Sequence, residues 1–251
     1  MTRKIAIINF KGGVGKSTTA GSLGHGLAQR GQKTLLVDCD PQSAVLKSLG
    51  GEPQKNLYHL MVDEATAAEC IENSRDNLDV IFSDFILQAV ESHPEVQIGR
   101  ERILKRRLSP IVKRYDYILL DCPPEPNIFN LNSIFFADEL FLPVSVDYLS
   151  VSGVADVFKQ LEFIKQQLDL KTRVSLIIPT FFATRERNSQ HFLGVLKKHF
   201  GDAVTEPIRK NVRIAEAAQK KKTIFEAFPH SSGAEDYNKL VERVINYDGK
   251  K

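Results

Sequence analysis

The chain has 251 residues, 42% of them hydrophobic and 26% charged, a size and balance that suit one folded domain and exclude a disordered or fibrous protein. Lys and Arg number 34 against 31 Asp and Glu, a net charge of +3, so total charge does not announce a nucleic-acid binder and any such case must come from local clusters. The short apolar runs, interrupted by charges, fall far below the roughly 18 residues that cross a bilayer, and the opening Met-Thr-Arg-Lys lacks a secretory cleavage pattern, so a cytoplasmic protein is expected.

In chain order, continuous apolar runs occur at residues 5–8, 34–37, 117–120, 140–142 and 174–178. Such runs predict strands buried on both faces of a parallel sheet. Between them lie amphipathic stretches: Ala20, Leu23 and Leu27 share a helical face before Gly31, and Phe158, Leu161, Ile164 and Leu168 share another. Strand and helix in alternation predict an α/β fold with a doubly wound, mostly parallel sheet and helices on both faces. No repeat or low-complexity linker divides the chain, and Pro123, Pro124 and Pro126 are too few to mark a boundary, so 1–251 is expected to be a single domain. Charge is segregated along it. Residues 62–95 hold nine acids and one Arg, whereas 185–222 hold ten Lys or Arg and four acids.

The strongest motif is Lys11-Gly12-Gly13-Val14-Gly15-Lys16-Ser17-Thr18, between the first strand and the first helix. That context gives the pattern a mechanism. Glycines with positive φ turn several backbone N–H groups toward one anion, and the helix N-terminus adds positive charge. Lys16 is then placed to reach the β- and γ-phosphates and the Ser17 hydroxyl to bind Mg²⁺, the arrangement of a P-loop NTPase. Two acidic clusters follow predicted strands, Asp38-Cys39-Asp40-Pro41-Gln42 and Asp121-Cys122-Pro123-Pro124, at the sheet end where open α/β folds hold ligands. Asp121 is expected to support Mg²⁺ through water, with Asp38 as a second candidate, and Asp40 to orient or deprotonate the attacking water. Cys39, Cys70 and Cys122 cannot all pair and lack metal spacing, which suits reduced thiols, with Cys39 and Cys122 filling small apolar gaps.

The second lysine of the loop, Lys11, resembles the signature lysine of the deviant Walker A group, the ParA/MinD ATPases. Asp-Cys-Asp-Pro-Gln, the segment Tyr117-Ile-Leu-Leu-Asp-Cys-Pro-Pro and the later Pro207-Ile-Arg-Lys-Asn-Val-Arg-Ile-Ala-Glu-Ala resemble ParA segments in order and spacing, over nearly the whole chain. The resemblance implies slow hydrolysis of ATP to ADP and phosphate with Mg²⁺ and an ATP-dependent homodimer in which Lys11 contacts phosphate on the partner's nucleotide. It places Pro207 and Asn211 near the adenine ring. Two departures are visible: Ala183 stands where ParA proteins commonly carry an acid, and Ser17 replaces the commoner Thr.

The same resemblance implies non-specific binding of double-stranded DNA by the dimer, a nucleoid-associated location, and a ParB-like or other small adaptor protein. Arg209, Lys210, Arg213, Lys220, Lys221 and Lys222 are the candidate DNA contacts, Arg213 first, and Lys197 and Lys198 are also available; phosphate contacts of this kind supply affinity without base reading. Arg100, Arg102, Lys105, Arg106 and Arg107 form a second cluster, read as a solvated helix face. The alternative is a MinD-like membrane-cycling ATPase. That branch ends in an amphipathic anchor, whereas the last periodic segment here, 234–245, is followed by Asn-Tyr-Asp-Gly-Lys-Lys, too short and polar to enter lipid. A nitrogenase-iron-protein-like reductase would need cluster cysteines between subunits, for which no cysteine is clearly placed.

Overall fold

Side chains alternate across a strand, so a run that is apolar at every position needs cover on both sides. The computed structural model, which describes residues 1–96, 98–146 and 151–246, provides it. Seven strands form one sheet: β1 (Arg3–Ile7), β2 (Thr34–Asp38), β3 (Ile71–Arg75), β4 (Leu78–Ile81), β5 (Tyr117–Asp121), β6 (Glu139–Ser145) and β7 (Arg173–Thr180). Their order is β3-β4-β2-β5-β1-β6-β7, parallel throughout except for the antiparallel pair β3 and β4. The helices are α1 (Lys16–Ala28), α2 (Ala44–Leu49), α3 (Leu57–Met61), α4 (Ala67–Cys70), α5 (Ile103–Leu108), α6 (Ile128–Phe136), α7 (Val151–Gln167), α8 (Arg187–Phe200), α9 (Val212–Gln219), α10 (Ile224–Ala227) and α11 (Ser232–Ile245). The polar tail at 247–251, invoked above against a membrane anchor, lies outside the described residues.

Two cores follow from the alternation. Ile5, Ile7, Leu36, Leu119, Phe141 and Ile178 face one side with α1, α2, α9, α10 and α11. Ala6, Ile8, Leu35, Val37, Ile118, Leu120, Leu140 and Ile177 face the other with α3, α5, α6, α7 and α8. All five predicted runs lie in strands or directly continue one. The runs do not mark β3 and β4. β3 is an edge strand of sequence IENSR with no fully buried position, and β4 carries Asp79, whose carboxylate accepts the Tyr115 hydroxyl at 2.7 Å. Both lack the continuous apolar signal of a strand covered on both faces.

From β1 the chain moves out to β2 across the space later filled by β5, while β6 and β7 lie on the opposite side of β1. The winding therefore reverses at β1, opening a crevice at the C-terminal ends of β1 and β5, where α/β sheets bind ligands. α1 leaves that crevice and is covered almost all round; Ala20, Leu23 and Leu27 are fully buried. α11 crosses it closely at Gly26, where a Cβ would sit 2.5 Å from Val241 Cγ2 and 3.0 Å from the Phe225 ring. Overpacking at such a site costs about 1–3 kcal/mol, more than helix propensity returns. Gly26→Val is expected to lower stability by about 2–3 kcal/mol in urea unfolding; a midpoint equal to wild type would contradict the close crossing.

Candidate functional site

The loop from β1 to α1 bends where its glycines allow it. Gly13 and Gly15 take φ of 72° and 86°, and Gly15 is the residue from which α1 starts. Buried side chains hold the turn from behind. Asn9 donates to the Pro143 carbonyl at 2.8 Å and accepts the Lys11 N–H at 3.0 Å, while the Thr180 hydroxyl donates to the Val14 carbonyl at 2.9 Å. Val14 is buried and Gly12 and Gly13 are exposed, so the loop presents its backbone outward. Lys16 is buried and donates to the Lys11 carbonyl at 3.0 Å. Burial lowers its pKa, and the charges of Asp121 and Asp40 oppose that shift. Lys11 itself is partly exposed at the loop entrance.

Parallel register places Asp38 opposite Asp121 at the ends of β2 and β5. Both are fully buried. Asp38 Oδ1 accepts the Asp40 N–H at 3.1 Å, but among the described residues Asp38 Oδ2 and both Asp121 oxygens lack a hydrogen-bond partner. Burial pushes the Asp121 carboxyl up to about 7, with the neighbouring Ser17 hydroxyl and Lys16 charge pulling it back; burial and then the Asp121 charge raise Asp38. Orphaned acid oxygens beside a hydroxyl fit the outer surroundings of a hydrated Mg²⁺. Among the described residues no group of three or more His, Cys, Asp or Glu could hold a metal by itself, as befits an ion that keeps its waters and phosphate oxygens. Asp40 is 8% exposed. Its Oδ1 accepts the Gln42 N–H at 2.9 Å, and its carbonyl accepts the Ser83 hydroxyl at 2.6 Å. An open cleft of about 540 Å³ runs from Asp40 to the loop at 123–127. Cys39, Cys70 and Cys122 are all buried, and burial pushes the Cys122 thiol up to about 12, so these are inert packing groups.

A second cleft, about 260 Å³, opens from Gly15 and Thr18 between Phe181, Ile208, Asn211, Ile214, Ala215 and Ala218. Asn211 thus stands in the cleft, capping α9 through the Arg213 N–H and donating to Ser232 Oγ at 2.8 Å. Pro207 is not among its lining residues. Arg209 departs from the role expected of a surface cation: it pairs with buried Asp236 at 2.6 Å and with Glu235 at 2.7 Å, tying the cleft wall to α11. Those bonds hold its pKa above the usual range. Arg213 and Lys220 instead lie over the Phe228 ring at 4.6 and 4.8 Å, with Arg213 also 3.0 Å from Glu216. The Lys221 carbonyl accepts a hydrogen bond from Arg75, Lys222 lines a narrow crevice with Ser17 and Thr18, and Lys210 is exposed. Sequence reasoning missed Asn9, Ser83, Thr180 and Phe181. Phe181 has φ of 54°, an unusual conformation for a bulky residue, and only the folded chain brings it to Gly15.

A family model described as an AAA domain matches residues 2–175. The sporulation initiation inhibitor protein Soj of Bacillus subtilis is 34% identical over 97% of this chain and 98% of its own length. The chromosome partitioning protein ParA of Caulobacter vibrioides is 32% identical over 97% and 94%. The chain belongs to the ParA/MinD family of ATPases. As a member it is an ATP hydrolase, and it falls among partition and positioning ATPases. The fold agrees: McdA of Cyanothece, in an ATP complex, superimposes with a TM-score of 0.83 at 25% identity over 97% of this chain and 96% of that one. MinD of Pyrococcus horikoshii, complexed with Mg-ADP, gives 0.84 at 22% over 99% and 98%. Within this family's loop, Asn9 is the support that the motif does not spell out. Asn9→Ala leaves a buried carbonyl and the Lys11 amide without their partner, at about 1–3 kcal/mol. ADP binding by calorimetry is expected to weaken about tenfold; unchanged affinity would remove Asn9 from loop support.

Proposed function

We propose that residues 1–251 act as a single ParA-type domain that dimerises with ATP, binds double-stranded DNA without sequence preference in that state, and positions a plasmid, chromosome or protein complex through a ParB-like or other small adaptor at the nucleoid. Gly12, Gly13, Val14, Gly15 and Thr18 present amides to the phosphates, Lys16 neutralises them, and Ser17, Asp38 and Asp121 hold the hydrated Mg²⁺. That ion, when bound, offsets the charge developing on the transferred phosphoryl group. Asp40 orients and deprotonates water from the wall of the 540 Å³ cleft, which the second subunit closes, bringing its Lys11 to the phosphate. Asn211 bounds the adenine pocket with Phe181 and Ile214, and Pro207 lies in the segment that leads there.

One observation carries the coupling. α9 has two working faces: Asn211 at its cap with Ile214, Ala215 and Ala218 line the cleft, whereas Arg213 and Lys220 embrace Phe228 beside it. A nucleotide that seats this short helix also sets the basic face, and dimerisation doubles the phosphate contacts. The energy of such a switch comes from differential affinity of the two states for ATP and ADP. The apolar face of α11 is spent on the core rather than free for a membrane: Tyr237, Leu240, Val241 and Val244 are buried at 2% exposure or less.

Arg213→Glu is expected to abolish ATP-dependent retention on arbitrary duplex DNA while leaving DNA-free hydrolysis intact; unchanged retention would reject this face. Lys11→Ala is expected to reduce ATP-dependent dimers in sedimentation more than it reduces nucleotide affinity of the monomer. The reverse ranking would refute the cross-subunit role.

A further inference from the structure

The turn that carries Asp40 is a rigid unit. The Ser43 N–H donates to the Asp40 carbonyl at 2.8 Å across Pro41 and Gln42, and a proline at that place presets the backbone of such a turn. Asp40 Oδ1 accepts the Gln42 N–H at 2.9 Å, and the Asp40 N–H donates to Asp38 Oδ1 at 3.1 Å. These bonds all lie within residues 38–43, so they fix the shape of the turn but not its direction. A turn at the end of β2 can still pivot there, and its carboxylate would swing with it.

The tie that stops the pivot comes from the end of β4. Ser83 Oγ, 43 residues away in the chain, donates to the Asp40 carbonyl at 2.6 Å. Of the hydrogen bonds to Asp40 among the described residues, this one alone starts outside 38–43. Ser83 has a firm base. Ile81 of β4 is in register with Val37 of β2, Phe82 is fully buried with its carbonyl accepting the Leu57 N–H at 2.8 Å, and Asp84 accepts the Ile86 N–H at 3.0 Å. The Asp40 carbonyl already has the Ser43 N–H, so Ser83 is not needed to satisfy it; a second donor from a separate strand adds direction. Ser83 is itself fully buried and does not line the cleft of about 540 Å³ beside Asp40. Any effect on the reaction therefore passes through the acids it faces, Asp40 by its carbonyl and, on the same hydroxyl, the Asp38 carboxyl.

We propose that Ser83 is a positioning residue for ATP hydrolysis: its hydroxyl aims the Asp40 turn, and with it the water that Asp40 orients. Phosphoryl transfer depends mainly on placement and charge stabilisation, so a group that holds a carboxylate's direction sets the rate without touching the reactants. The proposal rests on the water-orienting role of Asp40 proposed above.

Phosphate release is followed in a single turnover with the full chain in excess over ATP, across an Mg²⁺ series, and affinity is taken from calorimetry with a non-hydrolysable ATP analogue. Ser83→Ala, which removes the donor, and Ser83→Cys, which keeps nearly the same volume with a weak donor, are each expected to slow hydrolysis about tenfold, with analogue affinity and Mg²⁺ requirement changed less than about twofold. Ser83→Thr, which keeps the hydroxyl, is expected to stay within about threefold of wild type. Wild-type rates in Ser83→Ala and Ser83→Cys overturn the proposal. So does an equal loss of rate and affinity, which marks a structural role, or a shifted Mg²⁺ requirement, which marks an action through Asp38. Asp40→Ala separates this proposal from the reading it rests on. A wild-type rate there removes Asp40 from the mechanism, whereas loss there with a wild-type rate in Ser83→Ala overturns only the positioning.

Discussion

Two acids buried side by side without enough hydrogen-bond donors impose the main constraint on this molecule. Parallel register between β2 and β5 fixes Asp38 against Asp121, and among the described residues three of their four oxygens have no hydrogen-bond partner. Withdrawing carboxylates from water in this way costs several kcal/mol unless charge returns to them. Burial disfavours the charged form of both carboxyls, and a hydrated cation would restore it. The rest of the crevice serves the same end: the glycine loop supplies amides, Lys16 supplies charge, and Asn9 and Thr180 hold the loop at its required height.

The crevice reaches the outside of the molecule through helices packed around α1. Its N-terminus is the phosphate loop, and its body is crossed by α11 at Gly26, where no side chain fits. α11 in turn holds Arg209 through Asp236 and Glu235, and Arg209 belongs to the wall of the cleft beside α9. A cation that composition alone assigns to a surface is therefore a strut between the nucleotide cleft and the last helix. Other basic residues are braced against rings, Arg213 and Lys220 on Phe228 and Arg102 and Lys105 on Phe135.

A net charge of +3 conceals this arrangement because acids and bases occupy different stretches. The acidic stretch includes β3, β4 and the Asp63 that pairs with Arg107, while the basic stretches reach solvent on α5 and around α9. Local concentration rather than total charge is what a polyanion meets within a Debye length of about 8–10 Å.

Much of the architecture was legible because it rests on local rules. Continuous apolar runs marked β1, β2, β5, β6 and β7, since burial on both faces leaves little room for a polar position, and the glycines, Lys16 and Ser17 are adjacent in the chain because the loop acts through consecutive amides. By itself the sequence determined the doubly wound sheet, the phosphate loop and the acids at its strand ends. Only the tertiary structure decided that Asn9, Ser83 and Phe181 belong to the site, that Arg209 is spent on Asp236, and that Phe135 organises the cations of α5. Their partners lie tens to hundreds of residues away or depend on how one helix rests on another, and no spacing along the chain encodes a contact that packing alone creates.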